Sequence, residues 1–240
     1  GVTGGRDLPP AVVSLLVEKT DGIPLYIEEM TRMVLEAGML KAVGDRYELA
    51  DALPKLTIPA TLHDSLMARL DRMEPSAKKV AQVGACIGRE FSLGLSSAVL
   101  PGQDEALRGG LDRLVEAQLV FAPGNLGSAH YSFKHALIQD AAYESLLRRT
   151  RQEYHERIAQ ALERELPDLI ERQPERLAQH YTKAARPEKA IPYWLVAGRQ
   201  AVATSANPEA VGHLKEGLRL VESLPEGVER ARQELDLLST

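Results

Sequence analysis

Apolar residues in this chain recur mostly at helical spacing, and the places where that period breaks mark its elements. Val13, Leu16 and Val17 share one face between Leu8 and Thr20, with Pro9 and Pro10 suited to the opening turn of a helix. Asp21-Gly22 ends that helix. Pro24 then opens a second one, Leu25 to Ala37, with Glu28 and Glu29 in its early turns and Gly38 as its stop. Met39 to Leu49 carries Gly44-Asp45 between two short apolar pieces and predicts a small hairpin or loop. Thr57-Ile58-Pro59 reads as a connection, which places a first boundary near residue 55.

Leu62, Leu66, Leu70 and Met73 stand at spacings of four, four and three, the mark of an amphipathic helix from Ala60 to Met73. Pro75 to Ile87 is the next helix, closed by Gly88, and Phe91 to Leu100 a shorter apolar one stopped by Pro101-Gly102. Gln103 to Gln118 follows with Leu107, Leu111, Leu114 and Val115 on its buried face. Leu119 to Ala122 and His130 to Phe133 are strand-like and separated by a turn cluster, Pro123-Gly124-Asn125 and Gly127. Helices followed by a two-stranded ribbon describe a winged helix.

Around residue 135 the period switches within one short stretch. Tyr131 and Phe133 alternate with Ser132 and Lys134, whereas Leu137, Ile138, Ala141, Ala142 and Leu146 recur at helical spacing. A helix N-terminus presents unpaired N–H groups and a partial positive charge, so Lys134 and His135 there can seat an anion. The same residues are also explained if His135 only caps or packs.

From residue 148 the chain is helical again. Arg149 to Leu166 is one helix, and Pro-Glu pairs then stand at Pro174-Glu175, Pro187-Glu188, Pro208-Glu209 and Pro225-Glu226. Proline has no N–H to lose at the first helical position, and the glutamate beside it meets the positive end of the helix dipole, so each pair predicts a helix start. From Pro174 to Pro208 is 34 residues, the length of one tetratricopeptide unit. Pro192 falls where the second helix of that unit should run, and is expected to kink the helix or delay its start.

Composition narrows the field without naming a function. The 240 residues are 44% hydrophobic and 26% charged with a net charge of −5, which fits a folded protein of one to three domains. The one cysteine, Cys86, excludes an internal disulfide and a thiolate metal cluster; its neighbours Val83, Ala85 and Ile87 predict a buried, inert thiol. No apolar run is long enough to span a membrane and no signal-peptide pattern is visible, so a cytoplasmic location is expected. The chain opens on Gly1 and ends inside a helical pattern at Leu237-Leu238, which suggests a piece of something longer.

Three motifs in order carry a resemblance to a family: Thr20-Asp21-Gly22-Ile23-Pro24-Leu25-Tyr26-Ile27-Glu28-Glu29, then Ile58-Pro59-Ala60-Thr61-Leu62 with Leu70-Asp71-Arg72, then Phe133 to Tyr143, FKHALIQDAAY. Together they resemble the large bacterial signalling ATPases of the STAND class, relatives of AAA+ proteins that are often fused to a class III nucleotide cyclase or a kinase. The resemblance covers nearly the whole chain. It implies that residues 1–55 form a helical lid, 56–147 a winged helix, and 148–240 a helical linker and tetratricopeptide-like repeats. Gly22-Ile23-Pro24 is similar to the family's Gly-x-Pro motif, whose proline packs on adenine; a helix end followed by a helix start explains those residues equally well. Lys134-His135-Ala136-Leu137 is similar to a Met-His-Asp motif whose histidine contacts the β-phosphate of ADP, although Ala136 replaces the aspartate and Lys134 the methionine. The implied cofactor-binding residues are therefore Gly22, Pro24, Lys134 and His135, and the implied cofactor is ADP or ATP in a parent protein.

Other features set limits on that implication. No Gly-x-x-x-x-Gly-Lys-Ser/Thr run is present, so the chain has no backbone nest for phosphates and is expected neither to hydrolyse ATP nor to bind it firmly by itself. The nucleotide would be held by a P-loop core in the same protein, and the repeats would face a protein partner or inducer. A winged helix raises a DNA-binding regulator as the alternative. Ile58 to Lys134 carries eight basic and eight acidic residues, however, and the helix that would enter a groove, Gln103 to Gln118, has a net charge of −2, which argues against phosphate contacts. His63-Asp64, His130, His135 and Asp140 form no zinc-protease spacing, and no serine sits in a Gly-x-Ser-x-Gly turn, so no enzyme is expected in this segment. His63, His155 and His213 lie among charged neighbours and are expected to be solvated, and His180 with Tyr181 to pack between helices.

Overall fold

The computed structural model describes residues 2–20, 24–36, 40–49, 62–122 and 130–240. The chain is mainly α, with 13 helices and two small antiparallel sheets among the described residues. It divides into two compact units, Gly1–Met73 and Glu74–Thr240.

The first unit holds α1 (Pro10–Thr20), α2 (Pro24–Glu36), the hairpin β1 (Leu40–Val43) with β2 (Arg46–Leu49), and α3 (Leu62–Arg72). Its core is Val12, Leu16, Tyr26, Met30, Val34 and Leu40, with Leu8, Tyr47 and Leu49 packed against it. The hairpin turns at Gly44-Asp45, where Gly44 has φ +59, a conformation glycine adopts without a Cβ penalty. The unit reaches further than the boundary expected near residue 55. Arg69 on α3 donates to Glu29 on α2 at 2.6 Å, with side-chain exposures of 9% and 2%, so α3 packs with α2. Removing Arg69 from so buried a pair costs about 3–5 kcal/mol, because the Glu29 carboxylate loses this partner.

In the second unit α4 (Pro75–Ile87) is buried on most sides and sits at the centre. Around it are β3 (Glu90–Ser92), α5 (Leu93–Val99), α6 (Asp104–Glu116), β4 (Val120–Phe121), β5 (His130–Phe133) and α7 (Ala136–Glu144). Two glycines allow the close approach: a Cβ on Gly84 would meet the Phe91 ring at 2.8 Å, and one on Gly110 would meet Val80 at 2.9 Å. The sheet order is β3-β5-β4, antiparallel throughout. The expected ribbon is thus three-stranded, and Phe91, assigned to a helix by its apolar neighbours, lies on a strand paired with Tyr131. Three residues are too few to show a period of two. Ser92 ends the strand and caps α5 by accepting from Leu95 N–H at 3.1 Å.

The remaining elements are α8 (Arg148–Glu165), α9 (Pro167–Arg172), α10 (Pro174–Lys183), α11 (Pro187–Ala203), α12 (Asn207–Val221) and α13 (Val228–Leu238). Successive helices pack on one another, and glycine notches receive leucines: Leu214 faces Gly198 and Leu237 faces Gly217. Pro174, Pro187 and Pro208 each stand in the first turn of a helix, as their Pro-Glu pairs predict. Pro225 does not, since α13 begins at Val228. Pro192 also departs from expectation: α11 starts on time at Pro187 and continues to Ala203. The N–H that Pro192 lacks would have reached the carbonyl of Glu188 in the first turn, and both residues are exposed, so water can take the place of that bond. Helices α6, α10 and α11 end in left-handed residues that are not glycine, Gln118, Ala185 and Ser205, closed by Leu119 N–H to Leu114 O, Arg186 N–H to Tyr181 O and Ala206 N–H to Ala201 O.

Candidate functional site

The switch of period at residue 135 is a strand-to-helix junction. Phe133 N–H donates to Arg89 O and Lys134 N–H to Leu119 O, both at 3.0 Å, which ties the end of β5 to the sheet. His135 is then the N-cap residue of α7, with extended backbone (φ −139, ψ 147) and its carbonyl accepting from Ile138 N–H at 3.1 Å. Its side chain caps nothing. The imidazole Nε2 is buried and has no hydrogen-bond partner among the described residues, although the residue as a whole is only half-buried. The start of α7 thus has no side-chain cap, and the imidazole Nε2 there has an unused hydrogen-bonding capacity.

The four residues singled out in the sequence belong to different parts of the chain. Lys134 and His135 are adjacent in the second unit. Pro24 belongs to the first unit, exposed at the first position of α2. Gly22 lies outside the described residues. A groove of about 670 Å³ in the first unit is lined by Leu8, Pro9, Val13, Arg46 and Tyr47, none of which stands among the candidate site residues of the sequence. Cys86 is buried as expected, and desolvation pushes its thiol up to about 12, so it is no nucleophile near neutral pH. Among the described residues no group of histidine, cysteine and carboxylates is arranged to hold a metal ion, and no helix is long and apolar enough to cross a membrane.

His155 corrects an expectation. It is fully buried rather than solvated, 0% exposed on α8. Its Nε2 lies 3.0 Å from the Tyr143 hydroxyl of α7 and its Nδ1 2.9 Å from His180 Nδ1 of α10. Burial first, then His180 and the charges of nearby Lys183 and Arg151, lowers His155 to about 3; burial, then Lys183 and Arg176, lowers His180 to about 4. Both rings are neutral at ordinary pH. Charged neighbours in sequence hid this placement, yet a signal was present: His155 starts the apolar series Ile158, Ala159, Leu162 at i+3, i+4 and i+7. His180 and Tyr181 pack between helices as expected.

The fold and the junction thus define a mainly α chain in which a small antiparallel sheet delivers a histidine to a helix start. Over 206 residues, 85% of the chain, it is 29% identical to an uncharacterized protein of Rhizobium meliloti (strain 1021), R02095. The chain spans about one fifth of that protein, the matched part being 19% of its length. No family model and no solved structure matches.

Proposed function

We propose that this chain is the regulatory and interaction part of a multidomain signalling ATPase of the STAND class, closing over ADP or ATP held by a P-loop core of the same protein. The observation that carries the reading is His135: a buried ring nitrogen without a partner, next to Lys134, at the uncapped start of α7. This set fits one phosphoryl group, supplying a ring N–H, backbone N–H groups and the positive end of a helix, and it lacks the glycine-rich phosphate loop, with that loop's own lysine, that would hold a whole nucleotide. It therefore acts as a contact from the second side, which senses which nucleotide the core carries. The repeats α10 to α13 supply a surface for a protein partner or inducer, whose binding would shift the closed arrangement to an open one.

Calorimetry on the 240-residue chain should show no micromolar binding of ADP; binding at that level would remove the need for a core. In the complete protein, His135→Ala should weaken ADP and raise basal output, and unchanged values for both would defeat the sensor role. The three-stranded sheet beside α4, α5 and α6 keeps a DNA-binding regulator as the second reading. A salt-dependent mobility shift with random duplex would favour that reading over the first.

A further inference from the structure

We propose that the Tyr143–His155–His180 chain is an acid-released latch that holds the first repeat hairpin, α10 with α11, on α8. The inference goes beyond nucleotide sensing and rests on the geometry of the three side chains. Each belongs to a different helix, α7, α8 and α10, and the two ring-to-ring and ring-to-hydroxyl contacts are 2.9 and 3.0 Å. With both rings neutral the proton count closes: the Tyr143 hydroxyl donates to His155 Nε2, His155 Nδ1–H donates to His180 Nδ1, and the one ring proton of His180 stays on Nε2.

The surroundings resist any further proton. His180 itself opposes a proton on His155, and the other charged groups acting on the rings are cationic, Arg151 on α8 and Arg176 and Lys183 on α10; Arg151 and Lys183 also lie over the Tyr143 ring at 5.1 and 5.9 Å. Other titrating groups offer no relief. Cys86 on α4 keeps its proton, α5 has no ionisable side chain, and the α8 carboxylates Glu156 and Glu163 are held by Arg186 with Lys189 and by the hydroxyls of Tyr181 and Tyr193. One added proton can be accommodated as a hydrogen bond by reversing the His155 tautomer, but it places a buried charge beside three cations. A second sets two N–H groups against each other at the Nδ1 contact.

The sign follows from where the rings titrate. Folded, they hold off protonation until about 3 and about 4; with α10 lifted and the rings hydrated they return to the ordinary histidine range. The open form therefore binds more protons throughout the interval between, and the latch weakens as pH falls from the ordinary histidine range towards 4.

Hydrogen exchange of the 240-residue chain at pH 7 and pH 5, corrected for intrinsic amide rates, tests this directly. The opening constant for amides of α10 should rise roughly 20-fold for each histidine, while α4 and α6 keep their protection. His180→Asn preserves a side-chain hydrogen bond near Nδ1 without titrating, and should leave roughly the 20-fold change of His155 alone. An equal loss of protection in α4, no loss in α10, or the same pH response in the variant would each overturn the latch. Should the variant fail to fold, the imidazole proton signals of the unaltered chain decide. Signals of His155 and His180 that stay neutral down to pH 5 support the latch, and ordinary titration of both defeats it.

Discussion

His135 and His155 lie at the two ends of one short path, the first at the start of α7 and the second bonded to Tyr143 near that helix's end. Their surroundings differ in one respect that decides what each can do. His155 has both ring nitrogens occupied and no exposure, so it contributes to cohesion between α7, α8 and α10 and has nothing to offer a ligand. His135 is half-buried with Nε2 unpaired, which costs stability and leaves a hydrogen-bonding group unused. Satisfied polar groups hold a fold together, and unsatisfied ones mark where it has been left open.

The contrast can be broken most sharply by truncating both. His155→Ala removes a buried ring and takes a partner from the Tyr143 hydroxyl and from His180, and should destabilise the second unit by about 2–4 kcal/mol. His135→Ala should change stability by less than about 1 kcal/mol, because no hydrogen bond of Nε2 is lost. Urea unfolding of the two variants compares them, and similar losses would erase the distinction. Tyr143→Phe takes away one hydrogen bond of the chain and should cost about 1 kcal/mol, with the midpoint shifting at constant slope. The smallest change works in the other direction. Ala185→Gly relaxes a left-handed residue, φ +56, just after α10, and should raise stability by about 0.5–1 kcal/mol while leaving the pH response of α10 amides as it was.

Much of the architecture is legible in the sequence wherever a pattern is long enough to repeat. Pro75 to Ile87 matches α4 residue for residue, and the proline-headed starts at Pro174, Pro187 and Pro208 hold because proline chemistry at a first turn needs no tertiary help. The junction at Lys134-His135 is legible for the same reason, since a period of two gives way to one of 3.6 within a few residues. What escaped is short or depends on a partner. Strand β3 has three residues and exists because β5 lies beside it. Helices α10 and α11 end without glycine because Schellman bonds compensate the left-handed Ala185 and Ser205.

Local chemistry along the chain therefore determined the mainly α class, most helix starts and the strand-to-helix junction at residue 135. Tertiary structure alone decided that α3 joins α2 through Glu29 and Arg69, that a histidine among charged neighbours is buried, and that it meets another histidine 25 residues away. The reason is one of range. Capping, propensity and periodicity act within a turn or two of helix, whereas a buried charge or ring is tolerated only where distant residues supply its partner, and a list of neighbours in sequence does not contain them.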